Sequence, residues 1–447
     1  MKEPYEKVPF MRQFPNQKFV HWPLVPYYPE DILYSSGGGR DCIVPYEYTG
    51  WRDEQLSWKK TAYIHGLLPS ILFRFSGPDT KKFLSKYSVN TFEKFPIGSA
   101  KHGITCNEEG LITSDGLVLR IGEDSYDVYW MFSYFMAQQN DSEKYNMVPE
   151  DLTAKMFLFQ VGGPRSLRIL EAATGDDLHD IEFMRFRDTS INGKKFRIGR
   201  WGMAGSLAYE LHGSVEDAPE IYDAIYQAGK PFGIRRHGWH TYMMNHTEDG
   251  FPQFNYHSDI AMPFFLNAGK IEGSGRDETS YRNPYELTWG FCVKFDHDFV
   301  GRKALEKIAA NPLRTTVTLE WNAEDVADVY RSQFEDGEPY QEFRYINDHM
   351  AFGDDGKIVH FQDKVIDADG KYIGLSRGRS HSYYYKRMIS LGTIDLAYAK
   401  EGTEVIVLWG HPGTRQKKIR AKVARFPYYN ENRNQTFDVN TVPRPKK

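Results

Sequence analysis

Chemistry needs side chains that can hold a proton, a metal or a carbon, so the histidines, cysteines and carboxylates come first. Fourteen histidines are scattered along the chain. His237 and His240 are three residues apart, the spacing of a ligand pair on one helix face. No neighbouring cysteine or knot of carboxylates completes a metal site, so they also read as two packed or surface histidines. Asp296 and Asp298 flank His297. On an extended segment both carboxylates would share a face; the plainer reading is a polar loop. Cys42, Cys106 and Cys292 lie far apart. That excludes a disulfide framework, a thiolate zinc site and an iron–sulfur site built from this chain alone. Gly37-Gly38-Gly39 lacks the Gly-Lys-Ser/Thr of a phosphate loop, and GxSxG, HExxH and CxxC do not occur. Motif chemistry alone names no reaction. Aromatic residues make up 15% of the chain, with 29 Tyr, 29 Phe and 9 Trp. They suit either a large aromatic core or a pocket for a flat ring ligand.

The elements that must position such groups are legible in part. Residues 1–50 are rich in Pro, Gly and Tyr and read as an extended arm with a turn at the three glycines. From Thr49, TGWRDEQLSWKKTAYIH looks helical, with Trp51, Gln55, Trp58 and Ala62 at helical spacing. A strand at Ile71-Leu72-Phe73 then runs through Ser76-Gly77-Pro78-Asp79 into a helix bearing Phe83, Leu84 and Tyr87. The unit recurs: strand 157–161, turn Gly162-Gly163-Pro164, then a helix lined by Leu167, Leu170 and Ala173 and closed near Gly175. Two such units predict two related α+β lobes. Between them, 101–106, 111–112, 117–121 and 125–130 read as hairpin strands. After the second unit, 196–200 and 209–211 are strands. Ser214 and Asp217 form a capping box, and Ile221, Ala224, Ile225 and Ala228 face one side of a helix. Beyond about residue 315 the pattern turns β-rich, with one short helix at 324–334. The division expected is 1–300 as two interleaved lobes and 301–447 as an antiparallel β domain. Its 322–370 stretch is acid-rich and 411–447 is basic, as solvated strand faces and turns usually are.

Composition bounds the rest. At about 150 residues per domain, 447 residues suffice for three domains or lobes. Lys+Arg number 56 against Asp+Glu 60, a formal net charge of −4. That excludes a generally basic nucleic-acid binder or a polybasic membrane protein. No long apolar run suggests a membrane span, and no secretory h-region opens the chain. The expectation is a soluble cytoplasmic protein, a monomer or small homo-oligomer, with no nucleic-acid or membrane partner.

Several longer segments carry a resemblance. YEYTGWRDEQLSWKKTA (46–62), SGPDTKKFLS, DGLVLRIGED, FQVGGP, GMAGSLAYE, NPYELTWGFCVKFDHDFVGRKALE (283–306) and SYYYKRMISLGTIDLA together resemble the folate-binding family of the glycine-cleavage T-protein. Within it, the chain is most similar to the tetrahydrofolate-dependent aryl O-demethylases acting on vanillate and syringate. The resemblance implies an α+β fold, a three-lobed ring around a central folate channel, with a C-terminal antiparallel β domain. It implies transfer of the methyl group of a methoxylated aromatic to tetrahydrofolate, giving a phenol and 5-methyltetrahydrofolate, with no metal.

It also implies roles for single residues. Glu210 matches the carboxylate that holds the pterin, where two N–H groups of the 2-aminopyrimidinone edge can meet two oxygens. Gln160 matches a pterin-binding glutamine, whose amide both donates and accepts. Tyr242 stands where the T-protein branch has arginine and the aryl demethylases have a catalytic tyrosine. A phenol of pKa about 10 suits protonation of a leaving phenoxide of similar basicity. Phe251 stands where relatives place a tryptophan against the folate, keeping a stacking face without the indole N–H. Asp115 matches one of an acidic pair, although Asp-Gly is also a common turn. The arginine with which vanillate-type members grip a substrate carboxylate has no counterpart in Tyr129-Trp130-Met131-Phe132. Arg120, on the outgoing strand, is the candidate substitute or else a structural arginine. An uncharged or differently held methoxylated aromatic is therefore expected. Two other readings are an aminomethyltransferase, against which Tyr242 in place of arginine argues, and a non-catalytic folate-binding protein. Demethylation of an amine or sulfonium donor is a closer variant.

Overall fold

The computed structural model describes residues 47–67, 72–130, 132, 136, 144–153, 155–254, 256–261, 280–343, 350–352, 358–360 and 362–445. The N-terminal arm with its glycine turn, and Cys42, lie outside the described residues.

Helix α1, Trp51–Lys60, carries Asp53 and Glu54 in its first turn and Lys59 and Lys60 in its last, both complementing the helix dipole. It ends earlier than its apolar spacing suggests. Thr61 leaves helical geometry, and the aromatic and β-branched run that follows pairs as strand β1, Ala62–Leu67. The two strand–turn–helix units appear as expected. Strand β2 (Leu72–Ser76) feeds α2 (Thr80–Tyr87). Later, β7 (Met156–Gly162) feeds α3 (Ser166–Thr174), which Gly175 closes in the left-handed conformation.

The units belong to different sheets. The first sheet has the order β3-β4-β5-β2-β6, where β3 is Ser99–Cys106, β4 Ile112–Gly122, β5 Ser125–Tyr129 and β6 Val148–Asp151. The second has the order β11-β1-β7-β10-β9-β8, with β8 Phe186–Ile191, β9 Lys194–Gly199, β10 Ala208–Ser214 and β11 Ile234–Arg236. Helix α4, Ala218–Gly229, covers the second sheet with α3, burying Ile221, Ile225, Leu167 and Leu170 against Phe159, Val161 and Leu211. The lobes interleave because β1 lies in one sheet and β2 in the other.

Strand β4 is continuous across residues read as separate short strands, so Asp115-Gly116 sits mid-strand and is not a turn. Gly116 is required there by packing. A Cβ would lie 2.0 Å from the Tyr129 carbonyl oxygen.

After α5 (Trp239–Asp249) and α6 (Arg302–Ala310) the chain forms a closed barrel in the order β12-β17-β16-β15-β18-β19. These strands are Arg314–Trp321, Arg387–Asp395, Tyr372–Ser382, Asp363–Ile366, Glu404–Trp409 and Lys417–Ala424. Helix α7, Ala323–Arg331, packs on the barrel, where the short helix is expected. A two-stranded ribbon pairs β13 (Met350–Phe352) with β14 (Ile358–His360). No helix among the described residues is long and apolar enough to cross a membrane.

Candidate active site

The face of the second sheet opposite α3 and α4 is unusually polar. His65 on β1 pairs with Gln160 on β7, and Gln160 pairs with Glu210 on β10. Residues paired across antiparallel strands share a face, so these three form one cross-strand row. Tyr63 and His212, each two residues along its strand, project on the same side.

Glu210 is clasped before any ligand arrives. Trp201 Nε1 donates to its Oε2 at 2.6 Å, and Gln160 Nε2 donates to its Oε1 at 3.1 Å. The Tyr63 hydroxyl donates in turn to Gln160 Oε1 at 2.5 Å. Each carboxylate oxygen accepts about two bonds, so one site per oxygen remains, and the orientation is already set. His212 Nδ1 lies 2.6 Å from the Tyr129 hydroxyl, and its Nε2 lies 3.5 Å from Glu210. Trp201 was not legible as a site residue, because nothing in its spacing distinguishes it from the other tryptophans.

Tyr242 sits on α5 with 3% of its surface exposed. Three rings pack against it: His65 at 4.7 Å and 5° between planes, Trp239 at 5.3 Å and 26°, and His246 edge-on at 4.8 Å. Burial, reinforced by the charges of Glu210 and Asp115, pushes its phenol far above the ordinary tyrosine range. It therefore keeps its proton at any physiological pH.

The DEQLSW segment of α1 is a splint for α5. Glu54, fully buried, accepts from Gly238 N at 2.8 Å and Thr241 Oγ1 at 2.9 Å, at the N-terminus of α5. Its other oxygen accepts from Tyr48 N and Thr49 N. Gln55 Oε1 accepts from Tyr383 N and Tyr384 N at the β16–β17 turn, and its Nε2 donates to the His381 carbonyl. Trp58 and Lys59 both donate to Glu248, near the C-terminus of α5. Tyr242 follows Thr241 directly, so the splint sets its place.

A cavity of about 570 Å3 opens where the two sheets meet the end of the barrel chain. Glu210, Asp115 and Phe251 line it, with Trp201, Trp289 and Trp130 supplying flat walls. Trp130 is held at φ 64, an uncommon conformation for a bulky residue, just after β5. Phe251 follows Gly250, the left-handed cap of α5, and lies 5.4 Å from Trp289 and 5.1 Å from His102. His102 Nε2 lies 2.7 Å from Asp115 Oδ2. Burial opposes a charge on His102, but the Asp115 carboxylate and the Cys292 thiol outweigh it and lift its pKa to about 9.

The segment after the barrel also reaches the cavity, through Phe426, Pro427, Arg433 and Asn434. Arg433 pairs with Asp249, whose carboxyl is pushed up to about 7 by burial against the pull of that guanidinium. Gly205, at φ 74, lets the chain pass that pair; a Cβ would lie 2.3 Å from Asp249 Oδ1. The site thus draws on residues from both sides of the expected boundary at residue 300.

Four of the five expected positions meet around this cavity or the polar row: Gln160, Glu210, Phe251 and Asp115. Tyr242 stands against the row through His65 and does not line the cavity. Arg120 takes the structural reading. Its guanidinium donates to the carbonyls of Phe95, Gly122 and Glu123. His237 and His240 do not converge, since His237 stacks on Tyr63 at 4.3 Å while His240 pairs with Glu47 at 2.9 Å.

Residues 16–262 match the family model described as GCVT N-terminal domain, more than half of the chain. The chain belongs to the GCVT aminomethyltransferase family. Within that family it is 43% identical over 428 residues to a sesamin methylene transferase of Sinomonas sp., covering 90% of this chain and 94% of that one. It is 32% identical over 449 residues to a syringate O-demethylase of Sphingobium sp., covering 89% and 95%. The GCVT fold itself is matched by the crystal structure of the glycine cleavage aminomethyltransferase T from Bartonella henselae. That match has a TM-score of 0.64 and 19% identity, over 87% of this chain and 92% of the other.

Proposed function

We propose that this GCVT-family chain moves a one-carbon group from an aryl ether to tetrahydrofolate. In the leading form, the methyl group of a methoxylated aromatic is transferred, releasing a phenol. The observation that carries the reading is Glu210, a buried carboxylate held by Trp201 and Gln160 at the wall of a cavity large enough for a ring ligand. The two similar enzymes support it, one named a sesamin methylene transferase and the other a syringate O-demethylase.

The residues fit a reduced pterin. Glu210 can accept from its pyrimidinone edge, Gln160 and Trp201 hold Glu210 in place, and Phe251 and Trp289 offer stacking faces. Tetrahydrofolate supplies the amine nitrogen that receives the carbon. The chain supplies position and a proton. Walls of aromatic and aliphatic side chains exclude water and hold the donor ring close to the acceptor, which converts an encounter into an intramolecular reaction. Tyr242, which keeps its phenol protonated, is the group assigned on this reading to donate a hydrogen bond or proton to the departing aryl oxygen. That requires the donor ring to reach past the cavity wall to the Tyr242–His65 stack.

The donor is an uncharged aryl ether on this reading, because Arg120 is consumed by backbone carbonyls. A methylene carbon in place of a methyl is the second reading, favoured by the 43% identical relative. On this reading the chain acts in the cytoplasm as a monomer or small homo-oligomer; its three separated cysteines, which build no disulfide framework, suit that reducing compartment.

The test is mass-spectrometric turnover of tetrahydrofolate with a panel of methoxylated and methylenedioxy aromatics, with and without carboxylates. A one-carbon folate appearing with its matching phenol establishes the reaction and the donor class. Folate binding without product from any aromatic would overturn the aryl-ether reading.

A further inference from the structure

We propose that Trp130 decides which aryl donors the site accepts, by stacking its indole on the donor ring. The proposal rests on the aryl-ether reading above and deepens it, because it names the residue that favours an uncharged ring. Tyr242 is not among the residues that line the cavity of Glu210 and Phe251. A donor ring that serves both places must lie across the wall between them. The residue that selects the donor must therefore belong to both sides of that wall.

Trp130 does. It lines the cavity, and it packs against the apolar cluster that contains Tyr242, Tyr129 and Leu158. It is half-buried, so part of its indole remains for a ligand. The other two tryptophans of the cavity are committed. Trp201 is bound through Nε1 to Glu210 and is 5% exposed. Trp289 is buried in a separate cluster with Phe251 and Phe254, and it meets His102 edge-on at 4.6 Å.

The backbone marks the same residue. Trp130 is held at φ 64, which suits glycine or asparagine far better than an indole. The residue before it is fixed at both ends. Its carbonyl is pressed onto Gly116, which also lines the cavity, and its hydroxyl lies 2.6 Å from His212 Nδ1. Strained conformations persist where the surroundings impose them, and they gather at ligand clamps.

The chemistry of the indole sets the preference. Its large flat face stacks on a neutral ether ring. A carboxylate placed there meets the negative π face and loses water without gaining a partner. One residue thus attracts the uncharged donor and rejects the charged one.

Three variants of the full chain test this. The probes are 1,2-dimethoxybenzene and 3,4-dimethoxybenzoate, or the corresponding pair of whichever donor class the panel above returns. Trp130→Leu keeps an apolar side chain and removes the flat face. We expect its KM for the uncharged probe to rise at least about tenfold, with folate affinity by calorimetry within about twofold. Trp130→Phe restores a face and should bring KM back to within about threefold of wild type. Trp130→Arg should raise the ratio of kcat/KM on the carboxylated probe to that on the uncharged one by at least about tenfold. If Trp130→Leu does not fold, fluorine NMR of 5-fluorotryptophan-labelled wild-type protein replaces it. The Trp130 resonance, assigned through Trp130→Phe, should then move when the phenol product is added to the folate-loaded protein. A wild-type KM in folded Trp130→Leu, a folate affinity that falls in step with the donor's, an unmoved ratio in Trp130→Arg or a still resonance overturns the proposal. A wild-type protein that turns over no aryl ether overturns the reading beneath it instead.

Discussion

Tyr242 and His65 lie face to face, 4.7 Å apart and within 5° of parallel, although 177 positions separate them in the chain. One is on a helix and the other on a strand, and the contact joins α5 to the sheet that carries Glu210.

Tyr242→Phe preserves the stack and removes the hydroxyl. Turnover of an aryl ether should fall by about 100-fold or more, the usual contribution of a positioned acid. Folate affinity by calorimetry should stay within about twofold. Wild-type turnover in the variant would remove Tyr242 from the chemistry.

Glu210→Ala should weaken folate binding by about 2 kcal/mol or more, because donors on both sides lose a charged acceptor. Trp201→Phe should weaken it by about 1 kcal/mol, since it frees Oε2 without removing the carboxylate. Affinities equal to wild type in both variants would place the pterin elsewhere.

Glu54→Gln replaces an acceptor of four donors with an amide that must turn two of its own hydrogens toward some of them. Chemical denaturation should show a loss of about 2–3 kcal/mol. Turnover in the folded fraction should drop as well, because the same bonds seat the first turn of α5. Unchanged stability would mean that α5 is held by other contacts.

The His102–Asp115 pair predicts a pH dependence of stability. The folded pKa of His102, about 9, lies above its ordinary 6.5. Its contribution is therefore complete below about pH 6.5 and is lost as the pH rises toward 9. With partial exposure allowed for, this amounts to on the order of 2 kcal/mol. Urea unfolding of wild-type protein should weaken across that window, and Asp115→Asn should flatten the slope. Equal slopes would show that the pair is not charged.

Arg120→Met should cost about 1–2 kcal/mol of stability through three lost carbonyl bonds. The ratio of rates on carboxylated and uncharged donors should not move. A shift in that ratio would return Arg120 to the substrate site.

The alternation and Gly-Pro junctions of the sequence determine the two strand–turn–helix units, the helix closed by Gly175 and the β-rich end, because these rest on local turn chemistry and side-chain period. Glu210, Gln160 and Tyr242 were legible only through long family-like segments; their types alone would have passed for ordinary strand and core residues. Some boundaries misled. The apolar spacing of TAYIH continues a helix, yet pairing with β7 makes it a strand, since a strand there completes a sheet. Asp115-Gly116 has turn composition but runs mid-strand, because the glycine admits the Tyr129 carbonyl. Only the tertiary structure brings His65 to Tyr242, Trp201 to Glu210 and Arg433 to the cavity, and only it uses up Arg120 on backbone carbonyls. Those relationships depend on strand register and on packing between segments up to hundreds of residues apart, and no local pattern in a single chain encodes them.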